Sequence, residues 1–281
     1  MSPQDLEIDV VMLTKNSNKP WFKRVLKAIK EEVPVHHFIV VDGYSTDGTI
    51  EVVKEFFDDK LILLRTRKPL GCARYLGMKL VDTEWFAFID SDVEILPGWF
   101  KSALKYMKDE RIWGVRGSFG RAKDVLLTRS PRKDFSWNVI LKYGIVNFYG
   151  ADTSHVLMRR EVVNLVNPKF LCYLECGEDA YIAWKIVEAG YLYIKISKLQ
   201  AAHYSSPQTS LRKALHRSFS HNGLFYAIPY SAYAISSAIR FLTSLYKCRI
   251  HESLIYLINT LGGVFSYSKT KYLLSRVKEN E

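Results

Sequence analysis

Two aspartates, Asp90 and Asp92, stand two residues apart at the end of an apolar run, in the stretch FIDSDVEI at residues 88–95. Alternate residues of an extended chain point to the same side, so these carboxylates repel each other unless a cation or a proton lies between them. Mg²⁺ and Mn²⁺ commonly bind one or two carboxylates together with substrate phosphates. The pair therefore indicates a divalent-cation site. Two solvated acids in a turn are the alternative, because so short a motif also arises by chance.

Polar residues end two earlier apolar runs as well. Asp42 follows the run FIVV at 38–41, and Thr14 and Asn16 stand at the end of the run at 8–14. A chemical role for any of these side chains depends on which elements bring them together.

The first hundred residues alternate between runs rich in β-branched residues and segments with helical periodicity. Strands are predicted at 8–14, 36–41, 61–65 and 84–90, and helices at 21–32, 49–57, 71–81 and from Pro97 onward. This alternation predicts an α/β fold with a Rossmann-like, mostly parallel central sheet flanked by helices. Ligands of such sheets bind beyond the carboxyl ends of the strands, so Thr14, Asp42 and Asp90 are expected at one edge.

Composition sets broader limits. A chain of 281 residues with 48% hydrophobic residues can form one large domain, which we place at 1–223, and a helical C-terminal extension at 224–281. The net charge of +11 fits nucleic acid, an anionic membrane or phosphorylated ligands equally. The four cysteines lack metal-site spacing and no secretory signal is evident, so we expect reduced packing thiols in a cytoplasmic protein. These cysteines are Cys72, Cys172, Cys176 and Cys248.

Three segments occur in an informative order: VVDGYSTDGT at 40–49, LGCARYLGMKLVDTEWFAFIDSDVEI at 70–95 and GEDAYIAWKIVEAGY at 177–191. Together they resemble the signatures of family 2 glycosyltransferases of the GT-A type, over about residues 8–225. The resemblance implies a GT-A catalytic domain with a nucleotide-diphosphate sugar donor, a divalent cation (Mn²⁺ or Mg²⁺) and inversion at the anomeric carbon. A glycan or a lipid-linked molecule is the expected acceptor.

The resemblance also implies roles for individual residues. The donor-binding residues would be Thr14, Asn16, Asp42, Arg74, Asp90 and Ser91. Among them, Asp42 would contact the nucleoside and Arg74 the diphosphate, while Asp92 would bind the metal. The family often has a second acidic residue, used in base recognition, where this chain has Gly43. That departure leaves the nucleotide base open between uridine, guanosine and others.

Glu178 and Asp179 begin a predicted helix that ends near Gly190. Acidic residues at a helix start often only satisfy free N–H groups and the helix dipole. The resemblance instead implies that Asp179 is the general base, with Glu178 as its supporting neighbour, and a base would deprotonate an acceptor hydroxyl. A phosphate acceptor is already anionic, in which case Asp179 would orient the acceptor or the metal ligands.

His203 follows a strand-like segment, at a position where the family often has a metal-binding or diphosphate-binding histidine. A packed or surface histidine is the alternative, although histidine is also a common metal ligand. On the acceptor side we expect Asp152, Arg212 and Arg217. The two arginines would close over the diphosphate or form a solvated basic face.

Other classes of function fit the sequence less well. A metal-dependent nucleotidyltransferase also uses paired carboxylates, but the segment after the first strand, TKNSNKPWFKR, lacks glycine. A non-catalytic nucleic-acid binder would suit the charge, but no recognised nucleic-acid motif is present, so we expect no nucleic-acid partner. A degenerate sugar-nucleotide binder is disfavoured because Asp90, Asp92 and Asp179 are all retained.

The C-terminal extension contains two uncharged stretches, at 224–239 and 253–268, with basic residues between and after them. Each is shorter than the roughly 20 apolar residues that cross a bilayer. Helices of this kind either lie in a membrane interface or pack on protein, and the pattern does not separate the two. Peripheral attachment to the cytoplasmic face of the membrane is therefore left open.

Overall fold

The computed structural model describes residues 6–120, 125–127, 152–175, 177–204, 230–246, 253–258 and 260–261. Two residues of the predicted acceptor side, Arg212 and Arg217, lie outside these ranges, as does most of the predicted extension.

Within the described ranges, nine strands form one sheet. They are β1 (Ile8–Thr14), β2 (Val35–Asp42), β3 (Leu61–Arg65), β4 (Trp85–Ile89), β5 (Val93–Ile95), β6 (Ile112–Phe119), β7 (Val125–Leu127), β8 (His155–Arg159) and β9 (Leu192–His203). Their order is β3-β2-β1-β4-β8-β6-β9-β5, with β7 paired to β9. Strands β3, β2, β1 and β4 run parallel, whereas β8 is antiparallel to both β4 and β6. The α/β prediction is confirmed, and each predicted strand agrees within one or two residues.

The helices are α1 (Phe22–Glu32), α2 (Thr49–Phe57), α3 (Leu70–Lys79), α4 (Trp99–Met107), α5 (Pro168–Tyr173), α6 (Glu178–Glu188) and α7 (Tyr230–Tyr246). Short 3₁₀ turns cover Asp58–Lys60 and Arg160–Asn164. Among the described residues, no helix combines the length and apolar character needed to span a bilayer.

Hydrophobic cores cover both faces of the sheet. On β1, Val10 and Met12 belong to the core that includes α1, α2 and α4, whereas Val11 between them belongs to the core of α5 and α6. All three side chains are fully buried. Alternate side chains of a strand point to opposite faces, so a strand covered on both sides needs an uninterrupted apolar sequence. This explains the continuous apolar runs seen in the sequence.

Helix α3 packs unusually close to its neighbours. A Cβ atom on Gly77 would lie 2.5 Å from Cγ1 of Val11, and one on Gly71 would lie 2.1 Å from the carbonyl oxygen of Leu171. Both distances are shorter than a van der Waals contact, so only glycine permits this approach. The two glycines therefore set the position of α3 against β1 and α5.

A disulfide bond joins Cys72 on α3 to Cys172 on α5. The expectation of reduced packing thiols is wrong for these two residues. They are 100 residues apart in sequence and meet only because α3 and α5 pack together. Spacing along the chain does not reveal such a pairing.

Candidate active site

The carboxyl ends of β1 and β2 meet at Thr14 and Asp42, which are register partners. Thr14 Oγ1 donates to Asp42 Oδ1 at 2.9 Å, and the backbone N–H of Ser45 donates to Asp42 Oδ2 at 2.9 Å. The Asp42 side chain is fully buried. Asp42 therefore holds the turn after β2 in place, and its predicted contact with a nucleoside stays a prediction.

The turn after β1 is bound to the turn after β2. Asn16 has a left-handed backbone (φ 53°), and its N–H donates to Ser45 Oγ at 2.8 Å. Its side-chain oxygen accepts from the N–H of Thr46 at 2.9 Å. Ser91 Oγ donates to Ser17 Oγ at 2.9 Å, which connects the segment after β4 to the same turn. Asn16 and Ser91, both predicted donor-binding residues, thus lie on connected loops at one edge of the sheet.

Arg74 lies in the interior of this edge. Its Nε donates to Glu178 Oε1 at 2.9 Å, and its Nη2 lies 3.5 Å from Asp90 Oδ1. The side chains of Arg74 and Glu178 are 7% and 5% exposed, so a guanidinium is held away from water by two carboxylates. Its Nη1 is buried and has no hydrogen-bond partner among the residues that the structure describes. An arginine buried in this way is a cation prepared for an additional anion.

Asp90 has three carboxylates as neighbours in addition to Arg74. Burial raises the pKa of its carboxyl to about 6, Arg74 acts against this shift, and the neighbouring carboxylates of Asp152, Asp92 and Glu178 add to it. Its N–H donates to the carbonyl oxygen of Ser154 at 2.8 Å, which joins the end of β4 to the start of β8. The negative charge collected around Asp90 favours a cation.

Asp92 and His203 are neighbours. Asp92 Oδ2 lies 3.4 Å from His203 Nε2, and each side chain is about a quarter exposed (27% and 24%). The antiparallel pairing of Val93 with His203 brings them together, and Tyr204 N–H donates to the carbonyl oxygen of Asp92 at 2.9 Å. Carboxylate oxygens and an imidazole nitrogen are a donor set that suits Mn²⁺. These residues fit the predicted metal site, and the metal role itself stays a prediction.

Asp179 stands in the first turn of α6, directly after Glu178, and Gly177 at the N-cap has a left-handed backbone (φ 79°). Its charge acts on the ionisation of Arg74 and of Tyr193. The pKa of Tyr193 is raised, first by burial. The predicted general base therefore lies in the same electrostatic environment as the arginine.

Asp152 has partners that the sequence did not suggest. Arg116 Nη2 donates to Asp152 Oδ2 at 2.6 Å, and the N–H of Ser154 donates to Asp152 Oδ1 at 2.8 Å. Burial acts to raise the pKa of Asp152, but Arg116 and Ser154 outweigh it and the net pKa lies below the ordinary value. The hydroxyl of Tyr193 donates to the carbonyl oxygen of Asp152 at 3.4 Å. A charged residue inside the apolar run IWGVRGSF was the available signal for Arg116.

A separate carboxylate–histidine cluster consists of Asp9, His36 and His37. It lies at the starts of β1 and β2, five residues from Thr14, or roughly 17 Å at the usual rise of a strand. Both carboxylate oxygens of Asp9 accept backbone N–H groups, Oδ1 from His37 and Oδ2 from Asp82 and Thr83. This cluster is at the opposite edge of the sheet from Asp90 and is distinct from the candidate active site.

The chain is similar in sequence to known glycosyltransferases. The family model described as glycosyl transferase family 2 matches residues 9–163, more than half of the chain. The chain is 21% identical over 181 residues to the Escherichia coli UDP-Glc:alpha-D-GlcNAc-diphosphoundecaprenol beta-1,3-glucosyltransferase WfaP, covering 63% of this chain and 68% of WfaP. It is 25% identical over 182 residues to glycosyltransferase AglE of Haloferax volcanii, covering 63% of this chain and 60% of AglE.

Two solved structures share the fold of this chain. Mannosyltransferase PcManGT from Pyrobaculum calidifontis, in complex with GDP-Man and Mn²⁺, superposes with a TM-score of 0.56 at 17% identity, covering 98% of this chain and 81% of that one. Residues 1–349 of S. aureus TarS superpose with a TM-score of 0.52 at 16% identity, covering 94% and 92%. The fold is of the GT-A type, as predicted. The chain is a glycosyltransferase, a member of glycosyl transferase family 2.

Proposed function

We propose that the chain transfers a sugar, with inversion, from a nucleotide-diphosphate sugar to a glycan or lipid-linked acceptor, with Mn²⁺ or Mg²⁺ as cofactor. The observation that carries this proposal is Arg74: it is buried, bound to Glu178 and close to Asp90, and its Nη1 has no partner in the described ranges. A buried donor without an acceptor costs free energy. A diphosphate oxygen of the sugar donor would satisfy it with a charge-assisted hydrogen bond.

Asp92 and His203, with Asp90 beside them, would hold the divalent cation. When bound, this cation would offset the negative charge of the departing diphosphate. Arg74 contributes a second positive charge from the chain itself, held in place by Glu178 before the donor binds. Such preorganised charge lowers the barrier because it does not have to reorient during the reaction.

Asp179 would act as the general base. It accepts the proton of the acceptor hydroxyl while the acceptor oxygen forms a bond to the anomeric carbon. The bond from that carbon to the diphosphate oxygen breaks, and its electron pair leaves with the diphosphate. Because this is a single displacement, the configuration inverts. With a phosphate acceptor there is no proton to remove, and Asp179 would only orient the acceptor.

A lipid-linked acceptor at a membrane surface is the form of the proposal that two observations favour. The name of WfaP states an acceptor on a diphosphoundecaprenol lipid, which supports the same class here. In α7, the apolar side chains of Ile239, Leu242 and Tyr246 are 56%, 62% and 89% exposed, at helical spacing. An exposed apolar face of this kind suits a membrane interface. In a co-sedimentation assay with anionic vesicles, the protein should be found in the vesicle pellet, and the Leu242→Asp variant should stay in the supernatant.

Product analysis tests the proposal as a whole. The protein would be incubated with Mn²⁺ and a panel of nucleotide sugars, with release of nucleoside diphosphate as the first readout. Transfer to simple acceptors would then be followed by NMR, which reads the anomeric configuration of the product. We expect release with at least one donor and inversion at its anomeric carbon. A product with retained configuration would contradict the mechanism, and no release from any donor would contradict the proposed activity.

A further inference from the structure

A shallow, mostly polar cavity of about 620 Å³ opens beside the turn that follows β2. Its lining residues are Tyr44, Arg65, Thr66, Arg67 and Lys68. The cavity is adjacent to Asp42, because Arg65 pairs with Asp42 in the register of β2 and β3 and the N–H of Thr66 donates to the Asp42 carbonyl oxygen at 2.9 Å. It therefore lies at the same carboxyl edge as the candidate active site, at the end formed by β2 and β3.

Tyr44 is held in a conformation that tyrosine normally avoids. Its backbone has a φ of 61°, in the left-handed region, although Gly43 stands directly before it. A bulky residue in that region is an outlier, and such strain is retained where the surroundings or a function require it. Tyr44 is also 45% exposed, so packing in the core does not account for its strained backbone. A glycine at this position would form the turn more easily.

Arg67 covers the tyrosine ring. Its guanidinium carbon lies 4.8 Å from the ring centroid, within the range of a cation–π contact. An aromatic ring and a planar guanidinium are the groups on which nucleic-acid bases stack in proteins. Together, the ring and the guanidinium form a surface that suits a flat, uncharged ligand.

The other cavity residues restrict which base would fit. Arg67 and Lys68 offer hydrogen-bond donors and positive charge, whereas Arg65 Nε lies 3.7 Å from Asp42 Oδ2 and is partly neutralised by it. Asp42 itself is buried and also accepts from Thr14 and Ser45. Guanine presents two adjacent acceptors, O6 and N7, that arginine binds in bidentate fashion. Uracil presents separate carbonyl acceptors. On the edge equivalent to guanine O6 and N7, adenine places an amino group beside N7 and cytosine presents an amino group, and an amino donor facing arginine is unfavourable.

We propose that Tyr44 and Arg67 form the base-recognition face of the donor site, and that this face selects guanine over uracil and both over adenine and cytosine. This inference rests on the proposed nucleotide-sugar donor. It assigns base specificity to residues in the turns after β2 and β3, outside the paired-carboxylate motif.

The test is isothermal titration of the full chain with GDP, UDP, ADP, CDP and inorganic pyrophosphate, each with Mn²⁺. GDP should bind most tightly. Tyr44→Gly should weaken GDP binding by about tenfold, the scale of one lost base-stacking contact, and leave pyrophosphate binding unchanged. Because it removes the strained residue, Tyr44→Gly should not lower the thermal midpoint. Tyr44→Phe should retain affinity, and Arg67→Gln should reduce the preference for GDP over CDP.

A matched control is Lys105→Ala. The Nζ of Lys105 lies 4.6 Å from the ring centroid of Tyr106 on α4, so this variant removes a similar cation–π contact elsewhere. It should leave every affinity unchanged. If the four nucleotides bound with equal affinity, and neither Tyr44→Gly nor Arg67→Gln changed it, base recognition by this cavity would be wrong. The proposed function would not be affected. Equal losses for pyrophosphate and GDP in Arg67→Gln would make the cavity a general anion site and also overturn base recognition. No binding of any diphosphate would overturn the proposed function as well.

Discussion

Arg74 and Glu178 are 104 residues apart in sequence, but Arg74 Nε donates to Glu178 Oε1 at 2.9 Å between two buried side chains. This ion pair joins α3, which packs against β1, to the first turn of α6, where Asp179 stands. The residue that would receive the donor diphosphate and the residue that would deprotonate the acceptor therefore have positions that depend on each other.

Glu178→Ala should lower the free energy of unfolding by about 3 kcal/mol, because it leaves a buried guanidinium with one fewer carboxylate. Glu178→Gln retains an oxygen that can accept from Arg74 Nε and should recover part of this loss. Denaturant titration measures both. The control is Glu188→Gln on the same helix, which breaks the more exposed pair Lys185–Glu188 (24% and 45%) and should cost about 0.5 kcal/mol or less. Equal losses for Glu178→Ala and Glu188→Gln would contradict the structural role of the buried pair.

Asp179→Asn should slow sugar transfer to a hydroxyl acceptor by about a hundredfold or more, the usual scale for loss of a general base. The amide has nearly the same size as the carboxyl group, so the affinity for nucleoside diphosphate should change little. Steady-state kinetics and titration calorimetry separate the two quantities. Transfer at the wild-type rate would remove Asp179 from the chemistry or indicate an acceptor that is already anionic.

His155 provides a prediction about pH. It is fully buried, Trp99 Nε1 donates to its Nδ1 at 3.3 Å, and burial lowers the pKa of the ring to about 3. The ordinary pKa of histidine is about 6.5. Below that pH, His155 binds a proton in the unfolded chain but not in the folded chain, so stability falls as the pH falls. Between pH 7 and pH 5 this one group should cost about 2 kcal/mol.

His155→Phe retains a ring of similar size and does not titrate. Its free energy of unfolding, measured by denaturant titration, should fall by about 2 kcal/mol less than that of the wild type over the same pH interval. The pH dependence is the readout because a packing defect lowers the free energy of unfolding equally at pH 7 and at pH 5. Identical slopes for the two proteins would show that His155 titrates in the folded chain much as it does in the unfolded one.

The disulfide bond can be tested by peptide mapping without reductant. A proteolytic digest should contain the peptide of Cys72 joined to that of Cys172, and reduction should separate them. For a closed loop of this length, reduction should also lower the free energy of unfolding by about 4 to 5 kcal/mol. Both cysteines alkylated in the unreduced, denatured protein would show that the bond is absent in solution.

The sequence predicted the parallel half of the fold well, because strands buried on both faces need long apolar runs such as Val10–Met12. It also predicted that Asp90 lies at a strand end. The proximity of Asp92 and His203 needed the antiparallel pairing of β5 with β9, which local periodicity does not encode.

Other parts of the site could not be predicted, for identifiable reasons. Arg116 and Tyr193 occur inside apolar strands and resemble core positions until the sheet places them beside Asp152. The strain at Tyr44 is a backbone property, and the residue next to Gly43 would have been expected to avoid it. The hydrogen bond from Ser45 N–H to Asp42 is a turn contact that the sequence does not reveal, and the nucleoside contact of Asp42 stays a prediction.

The most direct test of the proposed cation site is anomalous diffraction from crystals soaked with Mn²⁺ and a nucleoside diphosphate. We expect one strong manganese peak bonded to Asp92 and His203 beside Asp90, next to the diphosphate, and its loss in Asp92→Ala crystals. A peak at Asp9, His36 and His37 with none at Asp92 would contradict the assignment, and so would a nucleoside diphosphate bound at this edge without any metal.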